Sequence, residues 1–223
     1  MIKKGAQWGH AAHGPADYDV AGDDAALAAA VAARPHSRVT FHPTRDSDFA
    51  HAVGISVDAT AEVEPANELP CDLLAIHTEA GELTAVNMVV IGVAPDRQRW
   101  TTRNTRVRVT VDGRRVHDGP ATAVVVANGQ YLRGADVVPR GHPGDGRAEV
   151  HVYALARSER RRMRERLPRG EQVPHPRITT ASGRAILIEG LAAPVPVEID
   201  RVVVAPAPTV TVDVTPAAFS LLL

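Results

Sequence analysis

The sequence predicts an α+β protein: a reduced α/β section over residues 1–66, packed on a β-rich sandwich over residues 67–223. Three observations carry this. The alanine-rich helix pattern and the helix-plus-strand alternation lie before residue 66. Beyond it, short apolar or alternating runs separated by turn residues dominate, which is the pattern of a sandwich or barrel. The charge divides too: residues 1–96 carry 5 Lys+Arg against 14 Asp+Glu, and residues 97–223 carry 20 against 12. The last strands are free to return to the first section.

The elements follow in order. The stretch Met1–Val20 reads as a loose arm ending in a short strand at Tyr18–Ala21. Asp23–Ala33 reads as a helix, because alanine is the best helix former and Asp23 or Asp24 can cap it. Pro35 ends it. Arg38–His42 is a strand stopped by Pro43. Ser47–Val53 is a short helix, capped by Ser47 and closed by Gly54. Asp58–Pro70 is acidic and polar, and reads as the section boundary.

From there the period changes. Asp72–His77 and Leu83–Val93 are apolar runs joined as a hairpin at Glu79–Gly81. Arg106–Val111 alternates, and Asp112-Gly113 turns the chain into Arg115–His117. Ala121–Ala127 is one continuous apolar strand, buried on both faces. Ala148–Leu155 alternates, and Ser158–Leu167 reads as one arginine-rich helix. Ile178–Thr180, Ala185–Ile188, Val195–Ile199, Val202–Val204 and Thr209–Val214 complete the set of strands.

Composition limits the function classes. The 223 residues, 44% apolar and 23% charged, describe a globular protein with a sizeable core. A single cysteine, Cys71, rules out an internal disulfide and argues against a thiolate metal site. Its apolar neighbours assign it to the core. No apolar run reaches the ~18 residues of a membrane span, and the N-terminus lacks a signal peptide's apolar core. The cytoplasm is the expected compartment. Of the 25 basic residues only Lys3 and Lys4 are lysine.

Few local patterns carry chemistry. There is no Walker loop, no G-x-G-x-x-G, no G-x-S-x-G and no H-E-x-x-H. His10 and His13 are spaced for a metal but lack a third ligand nearby. Asn128 and Tyr131 follow a buried strand, where a turn or a ligand contact are both open readings. Asp145 lies in the Gly/Pro-dense loop Pro139–Gly146. There it can cap its own turn or bind a hard cation. Arg157–Arg166 holds six arginines in ten positions with Met163 and Leu167 four apart. That is a basic amphipathic pattern, suited to solvent, a phosphate-rich ligand or an anionic membrane surface.

The order of these pieces resembles the diacylglycerol kinase and lipid kinase family, a relative of the NAD kinases. Ala21-Gly22-Asp23-Asp24-Ala25 stands where that family has Gly-Gly-Asp-Gly-Thr before a helix. Val39–Pro43 leads to Ser47-Asp48-Phe49-Ala50, where the family has Asn-Asp-Phe-Ala. Ala85–Gly92 is similar to its Phe-x-Asn-x-x-x-x-Gly strand. Asn128-Gly129-Gln130-Tyr131, Pro139 and Asp145-Gly146 resemble its Asn-Gly-x-Tyr, Pro and Asp-Asp-Gly-x-Leu-Asp stretch.

The resemblance implies an α/β nucleotide section on a β-sandwich, with the site in the cleft between them. It implies ATP and Mg²⁺ as cofactors if the protein is an active lipid kinase, and none otherwise. Gly22, Asp23 and Asp48 become the expected nucleotide contacts, Asp145 the expected metal ligand, and Asn128 and Tyr131 the expected ligand contacts. Asp200 becomes the catalytic base, although Arg201 and Val202 replace the family's Gly and Glu beside it.

Other positions depart as well. The family's first strand and Asn-Pro-x-Ser-Gly loop find no counterpart in residues 1–21. Asp24 and Ala25 bring charge and bulk where phosphates approach. The second glycine-rich turn becomes Thr44-Arg45-Asp46-Ser47. The expectation is therefore a kinase-like protein, non-catalytic or weakly active, that keeps a β-section for a lipid or small molecule. The alternative is an active ATP- and Mg-dependent lipid kinase. Expected partners are that ligand, an anionic membrane surface through Arg157–Arg166, a homo-oligomer, or a second chain supplying a nucleotide section. Nucleic acid is not expected.

Overall fold

The computed structural model describes residues 8–55 and 66–223. Lys3, Lys4 and the polar residues 58–65 of the expected section boundary lie outside the described residues. Along the chain the strands and helices are β1 (His10–Ala11), β2 (Tyr18–Gly22), α1 (Asp24–Ala33), β3 (Arg38–Pro43) and α2 (Asp48–Val53). There follow β4 (Asn67–Thr78), β5 (Gly81–Ala85), β6 (Met88–Gly92), β7 (Thr105–Val111), β8 (Arg114–Ala121) and β9 (Ala123–Ala127). The hairpin β10 (Tyr131–Leu132) and β11 (Ala135–Asp136) precedes β12 (Ala148–Tyr153) and α3 (Arg160–Arg166). The chain ends with β13 (Ile178–Gly183), β14 (Ala185–Gly190), β15 (Val195–Ile199), β16 (Val202–Ala207) and β17 (Thr209–Leu222).

Two sheets form the sandwich. A nine-stranded sheet runs β1-β4-β17-β14-β7-β8, with β5 added to β4 and the parallel pair β2-β3 added to the end of β17. A six-stranded antiparallel sheet runs β13-β12-β9-β6-β15-β16. Alternate residues of both sheets, such as Ile76, Val89, Val109, Val126, Ile188 and Val212, close a dry core between them. The outer face of the smaller sheet is covered by the β10–β11 hairpin and α3 through Val137, Val138, Met163 and Leu167. At the far end, α1 and α2 bury Leu27, Val31 and Phe49 against Phe41 and Phe219. Cys71 lies in this third core, fully buried, with its thiol pushed up by burial. Among the described residues no helix is long and apolar enough to cross a membrane.

Four expectations need correction, each for a tertiary reason. Leu83–Val93 is not one strand. It breaks at Val86 and Asn87, so that β5 belongs to the large sheet and β6 to the small one. Ala121–Ala127 breaks likewise at Thr122, whose N–H and O–H both donate to the Tyr153 carbonyl at 2.8 and 2.9 Å while the chain changes sheet. The arginine-rich helix is α-helical only over Arg160–Arg166, with a 3-10 turn on each side. Glu159 turns back to accept the Ala156 N–H, and Pro168 follows. The final strand runs on past Val214 to Leu222 through a bulge at Thr215–Phe219, where Ala217 takes φ +47° and donates its N–H to Asp72.

Candidate functional site

Three chain segments meet at one cleft: the start of α1, the start of α2 and the β15–β16 turn. Gly22 ends β2 at the mouth. Its φ is +152°, and a Cβ there would lie 2.6 Å from the Ala26 side chain, so only glycine lets β2 turn this closely into α1. Asp23 caps α1 by accepting the Ala26 N–H at 3.0 Å. Asp24 points the other way, into the protein. Its carboxylate accepts the Ser47 hydroxyl and the Phe49 N–H, the latter at 3.2 Å, while Ser47 itself accepts the Ala50 N–H and caps α2. The two helix starts are thus fastened to each other by one carboxylate.

Asp48 is buried and fixes a different element. Its two oxygens accept the N–H groups of Arg133 and Gly134 at 2.7 and 2.8 Å, holding the tight β10–β11 turn, in which both residues have positive φ. Arg133 returns its guanidinium to Glu198 on β15 and to Asp96 at 3.4 Å.

Asp200 and Arg201 form the β15–β16 turn, again with positive φ at both. The Asp200 carboxylate is buried and accepts three consecutive backbone N–H groups: Val86 at 2.9 Å, Asn87 at 3.2 Å and Met88 at 2.8 Å. Burial, then the nearby charge of Asp24, pushes its pKa up to about 7 against those three donors. The same burial raises Asp24, and the charge of Asp48 adds to it. Arg201 reaches back to the Asp46 carbonyl at 2.6 Å.

Two neighbouring cavities share Asp46 and Arg201. One, of about 240 Å³, is lined by Asp23, Asp24, Arg45, Asp46, Asp200, Arg201 and Val202. The other, of about 400 Å³, lies between α2 and the β10–β11 turn, with Ser47, Asp48, His51, Ile55 and Arg133 in its wall. The Tyr131 ring stacks on His51 at 4.0 Å, with the planes 10° apart. The first cavity sets four carboxylates against two guanidinium groups. Among the described residues, no three acidic, histidine or cysteine side chains converge as a metal cage.

The structure therefore brings Gly22, Asp23, Asp48, Tyr131 and Asp200 to one region and leaves two expected residues outside it. Asn128 is fully buried, and its side-chain NH₂ donates to the Asp72 and Val86 carbonyls at 3.0 and 2.9 Å. Asp145 accepts the N–H of Arg147 at 3.0 Å, two residues on, in a turn of its own making.

The sequence offered Asp24 only as a possible helix cap and as charge set against phosphates, and gave no sign of Asp72, Arg133 or Glu198. Asp72 holds the Gly146 N–H at 2.6 Å and the β17 bulge through Ala217. A second aspartate in a first helical turn, or an aspartate opening an apolar run, has no local signature of such a role.

Comparison with known proteins places the chain. Residues 78–223 match the family model described as the YegS C-terminal NAD kinase beta sandwich-like domain. No curated protein matches. Among solved structures, a diacylglycerol kinase from Bacillus anthracis str. Sterne superposes with a TM-score of 0.68 at 18% identity, covering 92% of this chain and 75% of that one. Another structure from that organism, assigned as a diacylglycerol kinase, gives 0.73 at 16% identity, over 92% and 77%. Yeast NADH kinase complexed with NADH gives 0.50 at 12%, over 92% and 61%. At these identities the likenesses speak for the fold, and the family match carries the assignment: the chain belongs to the YegS C-terminal NAD kinase beta sandwich-like domain family.

Proposed function

We propose that this protein is a diacylglycerol kinase-like protein that is non-catalytic or weakly active, and that it works by binding a lipid or small molecule beside Tyr131. The observation that carries this reading is the commitment of the cleft carboxylates. Asp23 occupies the helix start where phosphate oxygens would settle, and Asp24, Asp48 and Asp200 are engaged with the protein's own donors.

ATP and Mg²⁺ fit these residues poorly. An anion entering the smaller cavity meets four carboxylates against two arginines, and a divalent cation finds no converging set of three acidic, histidine or cysteine side chains among the described residues. Phosphoryl transfer depends on positioning and charge neutralisation, and the cleft as built offers little of either. The larger cavity is better suited to a ligand. It combines Arg133 and Arg201 with Ile55 and His51, on whose ring Tyr131 stacks from outside the lining.

One observation favours the second reading, an active lipid kinase. Asp200, with its pKa near 7, is poised as a general base facing a cavity. Its Oδ2 accepts only the Val86 N–H and keeps a lone pair for a substrate hydroxyl.

The test is phosphate transfer from labelled ATP to diacylglycerol in mixed micelles with Mg²⁺, run beside Asp200→Asn. The expected result is transfer at background or only slightly above it. Turnover abolished in the variant would establish the second reading. Solvent extraction and mass spectrometry of the purified protein test the binding half, and a consistently empty protein would count against it.

A further inference from the structure

Trp100 is 70% exposed, the largest apolar side chain so displayed among the described residues. An aromatic ring of this size contributes most when buried, so its display calls for a partner. The turn that carries it is held firmly. Arg99 N–H donates to the Thr102 hydroxyl at 2.8 Å, and Thr102 N–H donates to the Arg99 carbonyl at 3.0 Å.

From beneath, Arg160 locks the same turn. It is only 2% exposed, yet no carboxylate among the described residues pairs with it. Its guanidinium donates to the carbonyls of Arg99 and Trp100 at 3.2 Å each and of Thr102 at 2.5 Å, and to the Asn104 side chain at 2.7 Å. Burying a cation without an acid costs stability, so a strong constraint is being imposed on this loop. Its effect is to keep the tip in place with the indole outward.

The surroundings are cationic. Arg99 and Arg103 flank the tip, and Arg157, Arg162, Arg164 and Arg169 are exposed on and around α3, the helix that supplies Arg160. None of these six forms an ion pair among the described residues. Met163 on α3 and Leu167 just after it face inward, so the arginines are left on the outside.

We propose that the Trp100 turn and the exposed arginines of α3 together form a docking surface for an anionic lipid bilayer. An indole settles at the headgroup level of a bilayer, and guanidinium groups pair with lipid phosphates. A protein partner would have to supply acids for six unpaired arginines. An anionic bilayer presents them continuously. The inference stands on this patch alone and is independent of the catalytic state of the cleft.

The protein has two tryptophans, and Trp8 is half-buried against His142. Trp8→Phe therefore isolates Trp100 as a fluorophore. Vesicles of phosphatidylcholine with phosphatidylglycerol are expected to blue-shift it and to quench it when brominated acyl chains are used. Pure phosphatidylcholine vesicles are expected to do neither, and high salt to reverse the effect. Sedimentation of the unaltered protein with the same vesicles gives a second readout that needs no substitution.

Each arginine removed should weaken binding about 5-fold, so Arg162→Gln with Arg164→Gln should weaken it about 25-fold. Trp100→Ala should weaken it further without lowering Tm. Absence of binding to anionic vesicles, equal binding to neutral ones, or variants that bind like the parent would each overturn the proposal. So would a Trp100 shift produced by RNA or DNA but not by vesicles, which would mark the patch as a nucleic-acid surface.

Discussion

Asp200 and Met88 hold each other at one end of the neighbouring strands β15 and β6: the Asp200 carboxylate accepts the Met88 N–H at 2.8 Å, and the Asp200 N–H donates to the Met88 carbonyl at 2.9 Å. With the N–H groups of Val86 and Asn87 on the same carboxylate, this contact fixes the point where the chain leaves the large sheet for the small one. An aspartate that looks like a catalytic base from its motif is thus also the clamp of the sandwich at the cleft.

Removing the clamp should be costly. Asp200→Ala leaves three buried N–H groups without acceptors at about 1–3 kcal/mol each, so a loss of about 3 kcal/mol or more is expected in urea unfolding. Asp200→Asn retains one acceptor oxygen and should lose less. Equal stability of all three proteins would contradict the clamp.

The pairing of Asp200 with Asp24 predicts a pH dependence. Asp200 titrates near 7 in the folded protein and at 3.8 by its ordinary value. Between these, the folded state holds a proton that the unfolded state has released, so this group's contribution to stability falls as pH rises from about 4 to 7. Asp24→Asn removes a like charge and should move the Asp200 midpoint down. The carboxyl infrared band, followed against pH in both proteins, reads this directly, and an unmoved midpoint would contradict the coupling.

Asp48 should matter for the hairpin rather than for the helix it starts. Asp48→Ala frees the N–H groups of Arg133 and Gly134, and should cost about 2 kcal/mol or more while α2 keeps its Ser47 cap. Hydrogen exchange should quicken at Arg133 and Gly134 and stay slow at Ala50. Quickening at Ala50 instead would show that Asp48 serves α2.

Local structure was readable wherever it follows from local chemistry. Asp23 and Ser47 announce helix starts by their own hydrogen-bonding habits, and Gly54 ends α2 in the left-handed conformation that favours glycine. The places that escaped are those where a distant residue decides. Nothing near Val86 or Thr122 says that the chain changes sheet there, because the deciding partners are Asp200 and Tyr153. The run past Pro216 was invisible for the same reason, since Asp72 satisfies the Ala217 N–H. In the cleft, the motif positions around Gly22, Asp48 and Asp200 were legible by resemblance. That Asp24 and Asp48 spend their charge on Ser47 and on the Arg133–Gly134 turn was not.

The reading we propose has a cleft that does not hold Mg²⁺ and ATP as a working kinase site would. Thermal unfolding with millimolar ATP, with and without Mg²⁺, tests it most directly. A site filled at 100 times its Kd would stabilise the protein by about 2.7 kcal/mol, a clear rise in Tm. No shift is expected in either condition. A Mg²⁺-dependent rise in Tm, lost in Asp200→Asn, would contradict it.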